Sequence, residues 1–324
     1  MRDLKATLDQ SVIAKLREHK PRCGAEEIPM VQGASPELRQ YLNFYQLPIP
    51  HNCLNLYAGT ISIERQQIVT MAWEPENCLG SVIVVHGYTD HTGLYNHLIQ
   101  HLLSLQLRVI CFDLPGHGLS SGKPGFILDY AEYVGVLKRI IDISQTQFGG
   151  SLHAIGQSMG GAILLKHLFE QSSQDSYPFK SLNLLAPLLQ PKNWGINRWL
   201  FMLTRPFRKT LKRVFRPSSF DQEFLDFLRD RDPLQPQVLP IEWVGALDKW
   251  VRQCKHSKGS DFGVNIIQGS GDKTLDWAYN LSIFESLLPN MSLHIVDSAN
   301  HHLANEIESL RTEIFTALSM DSSA

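Results

Sequence analysis

The sequence predicts an α/β protein, a mostly parallel central sheet flanked by helices, with a helical segment inserted after the sixth strand. Three observations lead there. Short, largely apolar runs such as Ser81-Val-Ile-Val-Val85 and Arg108-Val-Ile-Cys-Phe112 suit strands covered on both faces. These runs alternate with segments of helical period, the order that a parallel sheet with crossover helices requires. Finally, 324 residues with 43% hydrophobic content can bury a large core.

Each element follows from its own pattern. Residues 1–50 read as a helical extension packed on the main domain, residues 51–324. Leu8, Val12, Ile13 and Leu16 recur at helical spacing between Thr7 and His19, and Pro21 interrupts them. A second short helix starts at Pro36, with Ser35 as its cap. Leu54–Ile63 and Gln67–Trp73 suit an opening antiparallel pair. The buried strand 81–85, a helix over Leu94–Leu105, the strand 108–112 and a helix over Tyr130–Ile143 follow. Leu152-His-Ala-Ile then leads as a strand into Gly156-Gln-Ser-Met-Gly160, and a helix opens on the glycines. Ser181–Leu185, Val264–Ile267 and Leu293–Val296 are further strands, with helices over Trp277–Leu288 and Asn305–Leu318. Residues 188–250 break the alternation and show no obvious strand. They read as a helical cap, because an insertion of that length usually serves function. Its first part, Lys192–Arg216, holds eight Lys/Arg and no acid among Trp194, Trp199, Leu200, Phe201, Met202, Leu203 and Phe207.

Composition excludes some roles. A net charge of −2 gives no global pull toward nucleic acid. Cys23, Cys53, Cys78, Cys111 and Cys254 are scattered and odd in number, as in a reduced, cytoplasmic protein. No stretch reaches 18 apolar residues, and the N-terminus lacks a signal-peptide core.

The chemistry centres on Gly156-Gln-Ser158-Met-Gly160. In the G-x-S-x-G turn a strand passes sharply into a helix, lifting the serine hydroxyl above the sheet. Crowding around that turn favours glycine at both flanks, and the helix N-terminus faces any negative charge formed beside Ser158. A serine hydroxyl needs a base, and the base an orienting acid, in the chain order Ser, Asp or Glu, His. Loops at the C-terminal strand ends supply both. Gly269-Ser-Gly-Asp272 offers Asp272, with Asp276 as a rival more suited to starting the next helix. Asp297-Ser-Ala-Asn-His301-His302 offers His301 ahead of His302, with Asp297 bracing its own loop. For an oxyanion, the donors are the N–H groups of Met159 and, from the loop His86-Gly-Tyr-Thr-Asp-His91, of Tyr88. His86 and His91 lack a third clustered ligand and read as loop braces rather than a metal pair. Asp113 and His117, in Asp-Leu-Pro-Gly-His-Gly118, read as turn formers.

Together, His86-Gly-Tyr-Thr-Asp-His91 with Tyr95, Asp113-Leu-Pro-Gly-His-Gly118, Gly156-Gln-Ser-Met-Gly-Gly161, Gly269-Ser-Gly-Asp272 and His301-His-Leu-Ala-Asn-Glu306 resemble the monoacylglycerol lipase and lysophospholipase branch of the α/β-hydrolases. Serine aminopeptidase-like proteins are near relatives. The resemblance covers roughly residues 55–320. It implies the α/β-hydrolase fold, Ser158, Asp272 and His301 as a triad, and Tyr88 and Met159 at the oxyanion. It further implies a cofactor-free, metal-free esterase acting on a small acyl ester or lipid. The N-terminal extension and the basic cap depart from the family core. The same triad serves aminopeptidases, thioesterases and acyltransferases, and a silent binding module remains the non-enzyme alternative. The basic, Trp-rich cap adds an expectation of peripheral contact with an anionic membrane, with Arg208, Lys209, Lys212 and Arg213 as the contacting cations.

Overall fold

A computed structural model describes residues 8–18, 27–171 and 177–320, with the side chains of Asn197 and Met202 left aside. Thr7, His19, Pro21 and Cys23 lie outside the described residues. α1 (Gln10–Glu18) turns Val12 and Ile13 inward. α2 (Pro36–Phe44) carries proline in its first turn, and the Ser35 hydroxyl accepts from Leu38 N–H at 3.2 Å, satisfying one of the helix's free donors. This extension is stitched to the body. Arg17 donates to the Gly118 carbonyl at 2.9 Å, and the Gln147 amide pairs with the Ile28 backbone in both directions at 2.8 Å.

β1 (Leu54–Ile63) and β2 (Gln66–Pro75) form the antiparallel pair. β3 (Gly80–Val85), α3 (Asn96–Ser104) behind a short 3-10 turn, β4 (Leu107–Phe112), α4 (Tyr130–Gln147), β5 (Leu152–Gln157), α5 (Met159–Phe169) and β6 (Ser181–Leu185) then alternate. After the insertion, β9 (Val264–Gly269), α9 (Trp277–Leu287), β10 (Ser292–Val296) and α10 (Glu308–Thr316) complete the series. The last helix begins three residues later than the periodicity suggests, because Leu303–Asn305 forms a separate 3-10 turn. The sheet has eight strands in the order β1-β2-β4-β3-β5-β6-β9-β10. It is antiparallel through β1, β2 and β4 and parallel from there on. Every residue of β3, β4, β5, β6 and β9 is buried, as double-sided helix cover demands.

Between β6 and β9 lie α6 (Trp194–Thr204), β7 (Thr210–Lys212), α7 (Gln222–Asp230), β8 (Val238–Pro240) and α8 (Ile241–Lys255). The two strands pair antiparallel as a second small sheet, which corrects the all-helical expectation for this stretch. At three residues each, one of them ending in proline, they carry no readable alternation. Among the described residues, no helix is long and apolar enough to cross a membrane.

Candidate active site

Parallel strands deliver their loops to one edge of a sheet, and the candidate residues gather there. Ser158 follows β5, Asp272 follows β9 and His301 follows β10, with β6 between β5 and β9. The backbone of Ser158 has φ 53° and ψ −109°, a left-handed conformation that costs a non-glycine residue of order 1–3 kcal/mol. Surrounding bonds hold it: Ser158 N–H donates to the Leu185 carbonyl at 2.8 Å, and Leu188 N–H to the Ser158 carbonyl at 3.0 Å. The flanking glycines have no alternative. A Cβ on Gly156 would stand 2.6 Å from the Gly160 carbonyl carbon, and one on Gly160 would strike the Val85 carbonyl oxygen.

The three side chains meet in sequence. Ser158 Oγ lies 2.9 Å from His301 Nε2, and His301 Nδ1 lies 2.7 Å from Asp272 Oδ2. Asp272 is fixed from behind. Its Oδ1 accepts from Thr274 N–H at 2.7 Å and Leu275 N–H at 3.0 Å. Burial pushes the Asp272 carboxyl up, but the His301 ring and these hydrogen bonds outweigh it and hold the carboxyl below its ordinary value. For His301 the balance is reversed. Burial pushes the ring down, and the Asp272 charge, its hydrogen bond and the more remote Asp90 raise it above an ordinary histidine. The His301 loop is pinned as well. Gln157 donates to the His301 carbonyl at 2.9 Å, and buried Glu306 accepts from Asn300 N–H at 2.6 Å.

Met159 opens α5, so its N–H has no acceptor within the helix. Tyr88 stands in the loop after β3, and β3 pairs with β5 so that Val85 faces Gly156. With Gly160 against Val85 and His86, the Tyr88 loop and the Ser158 turn are in contact. The Tyr88 ring stacks on Trp243 of α8, centroids 3.8 Å apart, and its hydroxyl donates to the Gly125 carbonyl at 3.0 Å.

The rival residues go elsewhere. Asp276 caps α9 by position and lies 3.5 Å from the Gln190 amide. Asp297 accepts from Ser270 at 3.1 Å, which ties its loop after β10 to the loop after β9. His302 turns away to Asp90, 3.2 Å apart. His86 accepts from Leu114 N–H at 2.9 Å, whereas His91 faces Asp232 at 3.0 Å, so the two rings take separate partners. Asp113 gives one oxygen to Thr92 N–H and the other to Leu119 N–H, each at 2.8 Å. Burial pushes His117 down to about 3, leaving a neutral turn residue. Arg213 corrects an expectation: it is half-buried and donates to Gln235 Oε1 at 2.5 Å, inside the insertion rather than on its basic surface. Sequence reasoning missed Asp90, Asp232, Gln235 and Tyr45. Of these only Asp90 lay in a quoted motif.

The comparisons with known proteins concern the family and the fold. Residues 76–308 match the model of the family described as serine aminopeptidase, S33. Human monoglyceride lipase is 29% identical over 131 residues, 40% of this chain and 42% of that protein. The monoacylglycerol lipase of Mycolicibacterium smegmatis is 32% identical over 103 residues, 31% and 37% of the two chains. Phospholipase YtpA of Bacillus subtilis is 28% identical over 99 residues, 31% and 38%. The chain therefore spans less than half the length of these curated relatives. By structure, a soluble variant of the Saccharomyces cerevisiae monoglyceride lipase in complex with a substrate analog superposes with a TM-score of 0.69 at 17% identity, over 84% of this chain and 94% of that one. The Paleococcus ferrophilus monoacylglycerol lipase gives 0.61 at 20%, over 73% and 93%. At such identities the likeness establishes the fold.

Proposed function

Because the chain belongs to the serine aminopeptidase S33 family of the α/β-hydrolases, we propose that it is a serine hydrolase cleaving carboxylic esters through an acyl-enzyme. One observation carries the reading: the continuous hydrogen-bonded series Ser158 Oγ, His301 Nε2, His301 Nδ1, Asp272 Oδ2 at 2.9 and 2.7 Å. His301 takes the Ser158 proton as the alkoxide attacks the ester carbonyl carbon. Met159 and Tyr88 N–H groups hold the tetrahedral oxyanion. His301 then returns the proton to the departing alcohol, and a water molecule repeats the two steps on the acyl-enzyme to release the acid. Asp272 stays ionised and stabilises the imidazolium.

The substrate is a monoacyl glycerolipid or a lysophospholipid. The relatives named monoacylglycerol lipase and phospholipase support that class. So do α6, whose outward face leaves Ile196, Trp199, Leu200 and Leu203 exposed, and the turn after it, which exposes Phe207 beside Arg205, Arg208 and Lys209. We propose that this face rests on an anionic membrane and admits lipid from it.

Fluorophosphonate labelling of the intact protein, abolished in Ser158→Ala, is the expected result, with turnover falling about 10⁶-fold in that variant. An ester panel from acetyl to palmitoyl, including monoacylglycerol, lysophosphatidylcholine and aminoacyl amides, then ranks the substrates. Absence of labelling in the intact protein refutes the hydrolase reading, and preference for the amides refutes the ester.

A further inference from the structure

The segment ahead of β1 reaches the loop that carries Tyr88. Tyr45, directly after α2, donates its hydroxyl to Asp232 Oδ1 at 2.8 Å. Its ring packs edge-on against His91, centroids 5.0 Å apart, and so close to Gly93 that a Cβ there would lie 2.6 Å from Tyr45 Cγ. Asp232, between α7 and β8, is buried and shared by several donors. Leu234 N–H reaches its Oδ1 at 3.1 Å, while His91 Nε2 at 3.0 Å and Gln235 Nε2 at 2.9 Å reach Oδ2. Gln235 Nε2 donates in addition to the Thr89 carbonyl at 3.1 Å, and Arg213 holds the other end of that amide.

The loop from Tyr88 to His91 is therefore gripped twice by one carboxylate, through the His91 ring and through Gln235 on Thr89. Thr89 sits at φ 67°, a conformation a threonine keeps only when its surroundings impose it. The residue so constrained, Thr89, directly follows Tyr88, the residue whose N–H faces the oxyanion in the reading above. Tyr45 completes the donor set of Asp232 Oδ1. Without its hydroxyl that oxygen keeps only Leu234 N–H among these contacts, and the carboxylate that grips the loop loses one of its four donors.

We infer that Tyr45 is a positioning residue for the hydrolysis, setting through Asp232 and Gln235 the direction of the Tyr88 N–H. The inference rests on the proposed esterase function. Its physical basis is that oxyanion donors act by being aimed beforehand, so a small misdirection is felt in the transition state more than in the bound substrate.

The test uses the full chain with Tyr45→Phe, which removes one oxygen and keeps the ring against Gly93 and His91. The expected result is a roughly tenfold fall in kcat with KM within about twofold, since deleting a whole donor costs roughly 100- to 1,000-fold. Binding of a trifluoromethyl ketone, which forms the tetrahedral oxyanion on Ser158, should weaken by the same factor. Combined with Gln235→Leu, which cuts the link to Thr89, Tyr45→Phe should cost less than the product of the two single effects. If Tyr45→Phe lowers only the melting temperature, with kcat and ketone affinity intact well below it, the residue is merely structural and the inference fails. Fully multiplicative losses overturn it too. A wild-type protein that fluorophosphonate does not label fails at the earlier step, the esterase reading itself.

Discussion

His301 is held by two opposed demands, and the pH dependence of the reaction follows from which one wins. Burial favours the neutral ring, but the Asp272 charge and hydrogen bond, helped by Asp90, raise its pKa above the ordinary 6.5. A general base must be unprotonated, so kcat/KM should climb with pH through a value above 6.5. Asp272→Asn removes the principal raising cause. The acid limb should then move to lower pH while the rate falls roughly 10⁴-fold; a limb that stays in place in that variant would show that another group controls it. Gly160 makes a second prediction at this scale. Its missing side chain admits the Val85 carbonyl, which is backbone and cannot rotate aside. Gly160→Ala should cost about 3 kcal/mol or more, seen as a lower urea midpoint. A variant as stable as the parent would mean that the turn is not packed this tightly.

Among the elements, what the sequence made legible depends on how local the cause is. β1 and β6 fall on the expected residues, Leu54–Ile63 and Ser181–Leu185, because alternation or an apolar run carries each. The Ser158 turn was legible for the same reason: its glycines, its strand and its helix are neighbours in the chain. β7 and β8 were not, being too short for any period. The Asp232 network was hidden for a different cause. Its hydrogen bonds span 187 residues to Tyr45 and 141 to His91, and no motif joins such distant positions. α6 and the stretch after it, residues 194–213, lie between these cases. Their basic, aromatic composition was visible, and the structure adds which side chains face outward. Trp199 is 57% and Phe207 87% exposed, while Trp194 and Phe201 point inward. A cleft of about 400 Å³ next to it gathers Arg205, Arg208 and Lys209 over Phe201 and Ile241. Vesicles containing anionic lipid should sediment with the protein. Trp199→Ser with Phe207→Ser, and separately Arg208→Gln with Lys209→Gln and Lys212→Gln, should each weaken that binding several-fold. Only the charge-dependent part should fade with salt. Undiminished sedimentation of both variants would remove the membrane role.

For the whole molecule, acid acts twice and at separate pH values. Asp90, Asp232 and Asp272 are buried, and burial alone would push each carboxyl up. The facing His302, His91 and His301, with hydrogen bonds from Tyr95, Gln235 and Tyr45 and from the Leu275 and Thr274 backbone, reverse this and bring all three below the ordinary 3.8. A lowered carboxyl stabilises the fold fully above its unfolded pKa, and that contribution drains away as pH falls through the folded one. Unfolding stability should accordingly hold down to about pH 5 and decline steeply below 4. His301, the proposed base, behaves oppositely: its raised pKa stabilises the fold below 6.5, and that share is lost as pH rises through the raised value. Under the proposed mechanism, catalysis should therefore stop while the fold is intact. Between about pH 4.5 and 6 the protein should keep its full circular dichroism and urea midpoint, lose ester hydrolysis, and regain it on return to pH 8. Asp232→Asn separates the two effects. It should lower stability at pH 7 by roughly 3–5 kcal/mol, the cost of breaking a buried pair, and flatten the decline below pH 4, since one carboxyl fewer takes up a proton there. Activity and circular dichroism falling together along one titration, or an unchanged acid slope in that variant, would contradict this assignment of the buried carboxylates.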